Sequence, residues 1–209
     1  MSAFHRLHEL RMENDTAGFA MREAAPRFAR MAGRHENGTA PRAVVAYQLF
    51  QTPADTAQRM AALLDLKPGA RILEPSAGLG RLLDALAPFQ PAEIVAVEIA
   101  PQCAGELFQH NREGVTIKQR DFLSLTPEEL GTFDAVLMNP PFHMRSDIKH
   151  IEHARRFLRP GGRLVALCLD GYKRAETFQS LADSWEVLPA GTFKDAGANV
   201  ATVLFSITQ

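Results

Sequence analysis

The hydrophobic pattern of this chain changes character near residue 45. Before that point Leu7, Leu10 and Met12, then Phe19, Met21, Phe28 and Met31, recur at roughly helical spacing among charges. Pro26 interrupts the segment, and the Asn-Gly and proline of HENGTAP, His35–Pro41, read as a loop. Residues 1–45 are therefore expected to form a helical N-terminal extension, too short to hold a large core alone. YQLFQTPADTAQRMAALLDL then carries a helix start: Thr52 as hydroxyl cap, Pro53 at the first helical position and Asp55 three after the cap.

From Arg71 onward short apolar runs alternate with helical ones. RILE, EIVAVE, VTIKQ, FDAVLMN and RLVALCL read as strands. LGRLLDALA, PQCAGELFQHN, SDIKHIEHARRFL and RAETFQSLAD read as helices. Such alternation predicts βαβ units on a parallel sheet covered on both faces. SWEVLPA and VATVLFSI are two further strands with no helix between them, which suits an antiparallel pair at one edge. Residues 46–209 are expected to be one α/β domain.

Composition narrows the class. The chain has 209 residues, 46% hydrophobic and 22% charged, as in a folded globular protein. No apolar stretch approaches the roughly 20 residues needed to span a bilayer, and MSAFHRLHELRMEND is too charged for a secretory signal. A cytoplasmic protein with no membrane partner is expected. Cys103 and Cys168 form neither a zinc spacing nor a disulfide framework. The net charge of −1 does not mark a nucleic-acid binder, although a local basic patch is compatible with it.

Candidate chemistry gathers at the predicted strand ends. In ILEPSAGLGRL a strand ends at Glu74, and Gly78 and Gly80 sit in the turn to the next helix. Glycines allow a tight turn and close backbone approach to a ligand. Leu83 occupies the third glycine position of a dinucleotide fingerprint, and no Gly-Lys-Ser/Thr follows, so neither that fingerprint nor a Walker loop is complete. An acidic residue beside the turn suits an ammonium or sulfonium better than a pyrophosphate. Glu98 ends the second strand about 20 residues on, where a carboxylate receives ribose hydroxyls. Asp121 and Phe122 follow the third strand, where a carboxylate can accept from an adenine amine and a ring can pack on the base. Each has a plainer alternative: Glu74 as a helix cap, Glu98 as an exposed strand end, Asp121 as the start of a turn.

The fourth strand stops at MNPPF, Met138–Phe142. Neither proline offers a backbone N–H, so pairing cannot continue. The side-chain oxygen of Asn139 and the carbonyl of Pro140 are two acceptors that can hold the hydrogens of a planar amine. Phe142 can stack on a base, a contact worth roughly 1–3 kcal/mol. The plainer alternative is a strand-ending turn with a hydrophobic plug.

With these motifs the chain resembles the class I S-adenosylmethionine-dependent methyltransferases over roughly residues 47–209. EPSAGLG followed by NPPF, with FQTP at Phe50–Pro53, looks most like the amino-methyltransferases, above all the DNA adenine-N6 enzymes. The resemblance implies a doubly wound, Rossmann-like sheet of seven mostly parallel strands with the last antiparallel. It implies S-adenosyl-L-methionine as cofactor, held by Thr52, Pro53, Glu74, Ala77, Gly78, Gly80, Glu98, Asp121, Phe122 and Asn139. Asn139, Pro140 and Phe142 become the catalytic candidates, and Pro141, Phe142 and His143 candidate substrate contacts. No metal is required.

Nucleic acid is the expected partner, DNA before RNA, and a duplex base would have to be flipped out to reach the motif. Ribosomal RNA guanine-N2 and protein glutamine-N5 methylation are the alternative activities, since all three acceptors are planar nitrogens. A cofactor-binding regulatory subunit is the non-enzymatic alternative. Sequence-specific DNA methyltransferases usually carry an extra reading domain; here specificity is expected to be low, to come from a specificity subunit or a homodimer, or to reside in the 1–45 extension and the loops. Lys173 and Arg174, after a strand end, are phosphate candidates, whereas Lys149, Arg155 and Arg156 read as the solvated face of a helix. His143, His150 and His153 have partial metal-like spacing that no carboxylate completes.

Overall fold

A computed structural model of the protein describes residues 51–194 and 200–209. The expected helical extension, residues 1–45, and Phe50 of the FQTP segment lie outside the described residues.

Seven strands form one sheet: β1 Arg71–Glu74, β2 Glu93–Glu98, β3 Val115–Gln119, β4 Phe133–Met138, β5 Leu158–Leu169, β6 Ser184–Val187 and β7 Thr202–Thr208. Their order is β3-β2-β1-β4-β5-β7-β6. β1 to β5 are parallel, and β7 runs antiparallel to both β5 and β6. This is the doubly wound α/β architecture expected from the alternating pattern, with the last strand reversed.

Strand periodicity explains why both faces are covered. Ile72, Ile94, Ala96, Leu137 and Leu167 join one buried cluster with Met60 and Leu83 from the helices Ala54–Leu63 and Arg81–Leu86. Their immediate neighbours Leu73, Val95, Val97, Met138 and Cys168 join the other, with Ile151 from the helix Ser146–Arg155, Phe157 and Phe178. Successive side chains on a strand face opposite ways, so a continuous apolar run serves two cores at once. β3, at one edge, is only partly buried. Both cysteines are reduced and fully buried, and burial pushes their thiols up to about 11 for Cys103 and about 12 for Cys168. They are core residues without nucleophilic character.

The amino edge of the sheet is locked by Arg71. Its guanidinium donates to the carbonyls of Thr132 at 2.9 Å and Leu130 at 2.8 Å and lies 4.1 Å from the centre of the Phe133 ring. β5 begins with a register shift against β4. There a Cβ on Gly162 would lie 2.9 Å from the Arg159 carbonyl and 3.1 Å from those of Phe133 and Asp134, so only glycine fits.

Three local expectations differ. The helix expected after FQTP begins at Ala54 with Pro53 in the cap position, and no side chain caps it. Thr52, the expected cap, instead places its hydroxyl against Asn139. RAETFQSLAD is not one helix: a short turn, Tyr172–Arg174, passes into a π-type stretch, Ala175–Gln179. The Thr177 hydroxyl donates to the Lys173 carbonyl at 2.7 Å, a back-bond that competes with regular helical pairing.

Candidate active site

β1 sits between β2 on one side and β4 on the other, and the chain leaves these strands toward opposite sides. That is the topological switch point at which open α/β sheets form ligand crevices, at the carboxyl ends of the strands. A crevice of about 740 Å³ lies there, within the size range of small-molecule and cofactor sites.

The glycine turn forms its floor and is set by backbone geometry. Gly78 and Gly80 have φ of 54° and 86°, in the left-handed region that disfavours side chains. A Cβ on Gly80 would also come within 2.9 Å of Arg112 Nη2 and Leu107 Cδ2. Gly80 thus supports the turn from behind and does not line the crevice. The Ala77 N–H donates to the Val97 carbonyl at 3.0 Å, and the Gly80 N–H to the Ala77 carbonyl at 2.8 Å.

Glu98 anchors the turn from β2. Its Oε2 accepts from the Gly78 N–H and its Oε1 from the Ala100 N–H, both at 2.7 Å, and the residue is 8% exposed. Each carboxylate oxygen keeps a second lone pair, so the group can still receive hydroxyls from the crevice. It is not the exposed strand end of the plainer alternative.

Glu74 is different. It is 1% exposed, lines the crevice, and its Oε2 has no hydrogen-bond partner among the described residues. Burial holds its carboxyl well above the usual carboxylate range; the Arg112 charge opposes this, and Glu98 and Asp84 add to it. A buried acid with an orphaned oxygen is expensive unless a ligand satisfies it. A cationic amine would satisfy it.

On the far wall β4 ends at Asn139. Its Nδ2 donates to the Thr52 hydroxyl oxygen at 3.1 Å, across 87 residues of sequence, which orients the amide. Pro140 is buried beside it. Phe142 is 8% exposed: its ring lines the crevice but packs into the core with the helix Ala54–Leu63, so it meets a ligand with only part of its surface. Phe122 is 2% exposed and sits edge-on to His153 and beside Phe157, at 4.8 and 5.4 Å between ring centres. Asp121 caps the short helix that follows it, Oδ1 accepting from the Leu123 N–H at 3.0 Å, and also borders the crevice.

Thr52, Glu74, Ala77, Gly78, Glu98, Asp121, Phe122 and Asn139 to Phe142 therefore meet in one crevice. Pro53, His143, Lys173 and Arg174 do not line it. Arg174, expected to hold a phosphate, instead donates through Nε and Nη2 to the carboxylate of Asp147, both at 3.0 Å; Asp147 is fully buried. Lys173 pairs with Glu176 at 2.7 Å. Arg174 is thus engaged with a buried acid, whereas the Lys173–Glu176 pair lies at the surface. Of the histidines, His150 Nδ1 lies 2.8 Å from the Ser146 carbonyl and His153 Nε2 lies 2.9 Å from the Leu125 carbonyl.

The crevice also contains residues that sequence reasoning missed, among them Ile99, Leu123, Ser146 and His150. Ile99 is 64% exposed immediately after Glu98. An apolar residue stranded just past a strand-end carboxylate was the available signal for it. His150 had no such signal, because its helix reads as amphipathic whichever way the ring turns.

Fold and crevice together define a Rossmann-like domain with a ligand-sized crevice at the switch point of its sheet. A family model described as a methyltransferase domain matches residues 45–191, and the chain belongs to that family. The family and fold imply S-adenosylmethionine as methyl donor. The chain is 29% identical over 148 residues to the ribosomal protein L11 methyltransferase of Symbiobacterium thermophilum, covering 70% of this chain and 47% of that protein. It thus spans about half of that relative. Among solved structures it is similar to the type I restriction-modification system methyltransferase subunit from Streptococcus thermophilus, with TM-score 0.64 and 19% identity over 77% of this chain and 45% of that one. It is also similar to the 23S rRNA methyltransferase ErmE, with TM-score 0.58 and 18% identity over 77% and 70% of the two chains.

Proposed function

We propose that the protein methylates an exocyclic amino nitrogen of a nucleic-acid base, adenine N6 in DNA before other acceptors. The observation that carries this reading is the Asn139 amide, tied through Nδ2 to Thr52 and followed by a diproline corner whose Pro140 is buried, in the same crevice as Glu74 and Glu98. When bound, S-adenosylmethionine supplies a methyl group made electrophilic by its sulfonium.

The chain's own residues provide position and polarity. Glu74 holds the ammonium end, Glu98 the ribose hydroxyls, and Asp121 with Ile99 the base of the cofactor. Asn139 Oδ1 and the Pro140 carbonyl accept the two hydrogens of the target amine. That draws the nitrogen lone pair out of conjugation with the ring and aims it along the transfer line. Rigid placement of this kind can account for many orders of magnitude in rate. The partly covered Phe142 ring guides the base and is not its main platform.

A second reading, methylation of RNA, is favoured by the structural likeness to a 23S rRNA methyltransferase. Protein amide methylation is the third acceptor class. Incubation with labelled S-adenosylmethionine and separate pools of duplex DNA, single-stranded DNA, ribosomal RNA and protein, followed by mass analysis, separates them. Label in N6-methyladenine is the expected result. Label only in N2-methylguanine or in glutamine moves the assignment to another acceptor.

A further inference from the structure

His150 is 9% exposed, borders the crevice, and belongs to the helix Ser146–Arg155 that follows the NPPF corner. Its Nδ1 lies 2.8 Å from the Ser146 carbonyl oxygen, which can only accept. Nδ1 therefore carries the proton, and Nε2 presents a lone pair. Among the described residues no group donates to that lone pair. The ring lies 6.1 Å from Phe122, the residue that follows Asp121 after β3, and both line the crevice. Burial lowers its tendency to protonate; Asp121 and Asp147 work against this and His153 with it.

We infer that His150 is a cofactor-binding residue whose Nε2 accepts a hydrogen from the 6-amino group of the adenosyl moiety. The inference rests on the S-adenosylmethionine reading above and names a contact that reading did not contain. A neutral imidazole with its donor nitrogen committed elsewhere is an acceptor only. It therefore discriminates an amine, which donates, from a carbonyl, which cannot. In the proposed reading the ribose hydroxyls belong to Glu98 and the ammonium to Glu74. The amine on the purine is the donor that remains for the β3 side. Asp121 can take one of its hydrogens and His150 the other.

The test compares S-adenosylhomocysteine with S-inosylhomocysteine, in which a carbonyl replaces that amine, by titration calorimetry on the full chain. The wild type should prefer the adenosyl ligand by at least about tenfold. His150→Phe should weaken the adenosyl ligand about tenfold and leave the inosyl ligand within about twofold. His150→Gln, which can still present an oxygen acceptor, should recover part of the preference. In the wild type, the Nε2 nitrogen resonance should move on saturation with S-adenosylhomocysteine while Nδ1 stays in its protonated range. That measurement does not depend on any variant folding.

An unchanged preference in folded His150→Phe, equal weakening of both ligands, or an Nε2 resonance that stays still at saturation would overturn the inference and leave the cofactor reading intact. A wild type that binds neither ligand would overturn both.

Discussion

The two walls of the crevice are held by different means. On the β1–β2 side the glycine turn is fixed by contacts local in the fold: Ala77 to the Val97 carbonyl, Gly80 to Ala77, and the Gly78 amide to Glu98. Backbone atoms dominate among these contacts, with the Glu98 carboxylate as the side-chain acceptor. On the β4–β5 side the arrangement depends on side chains far apart in sequence. Asn139 is set by Thr52, 87 residues away, and the helix after NPPF is pinned by Asp147 to Arg174 and to the Leu169 amide. Backbone-built sites tolerate substitution except at glycine, whereas sites built on side-chain pairs fail one residue at a time. The cofactor wall should therefore survive changes that disable the acceptor wall.

The sharpest way to break that contrast is Asn139→Ala. Transfer should fall about 10³-fold, the scale of losing one preorganised polar group at a reacting centre. Affinity for S-adenosylhomocysteine should stay within about threefold. Single-turnover kinetics beside calorimetry measure both. A parallel collapse of ligand binding would show that the two walls are one unit.

Asp147→Ala is next. It leaves Arg174 partly buried without its carboxylate and removes the acceptor of the Leu169 N–H. Breaking one partner of a buried pair typically costs about 3 kcal/mol or more, so urea unfolding should show a loss of that order. Lys173→Ala, whose pair with Glu176 is exposed on both sides, should change stability by less than about 0.5 kcal/mol. Equal effects would remove the distinction between the two ion pairs.

Thr52→Val keeps the volume but removes the acceptor for Asn139 Nδ2. The amide then loses this tether, and the rate should fall roughly 10- to 100-fold. Thr52→Ser should restore most of it. Since Thr52 does not cap the helix Ala54–Leu63, thermal stability should change little. A loss of stability with no loss of rate would return Thr52 to the capping role that TPAD suggested.

These pairs mark the boundary of what the chain discloses linearly. The strands were legible because apolar runs of strand length between turn signals admit few other readings. The carboxylates at the ends of β1 and β2 were legible because a strand end fixes where a residue emerges. Direction within a loop was not. NPPF and DF announce rings, but packing against Met60 and its neighbours or against His153 and Phe157 decides how much of each ring reaches the crevice. Arg174 looked available because Asp147, 27 residues earlier, gives no local hint of pairing with it. Two consecutive left-handed residues, Met144 at φ 47° and Arg145 at φ 61°, follow the motif with no glycine to announce them.

The smallest effect tests the cofactor wall from within. Burial raises the folded pKa of Glu74 well above the unfolded value of 4.5, with the Arg112 charge opposing it. Between those two values the native state binds more protons than the unfolded state, and stability falls as pH rises. Below 4.5 both states are protonated and the penalty vanishes. Glu74→Gln removes the charge while keeping the shape. At neutral pH the ligand-free variant should be more stable than the wild type by about 1 kcal/mol. The gap should close as pH is lowered toward 4.5. The same variant should bind S-adenosylhomocysteine about tenfold more weakly, because the amide cannot balance the ammonium. Stability and affinity moving in opposite directions would identify Glu74 as a carboxylate kept at a cost to the fold because a cation completes it. Thermal melts across pH, with and without ligand, decide this: a variant less stable at every pH would make Glu74 a structural acid satisfied by the fold itself.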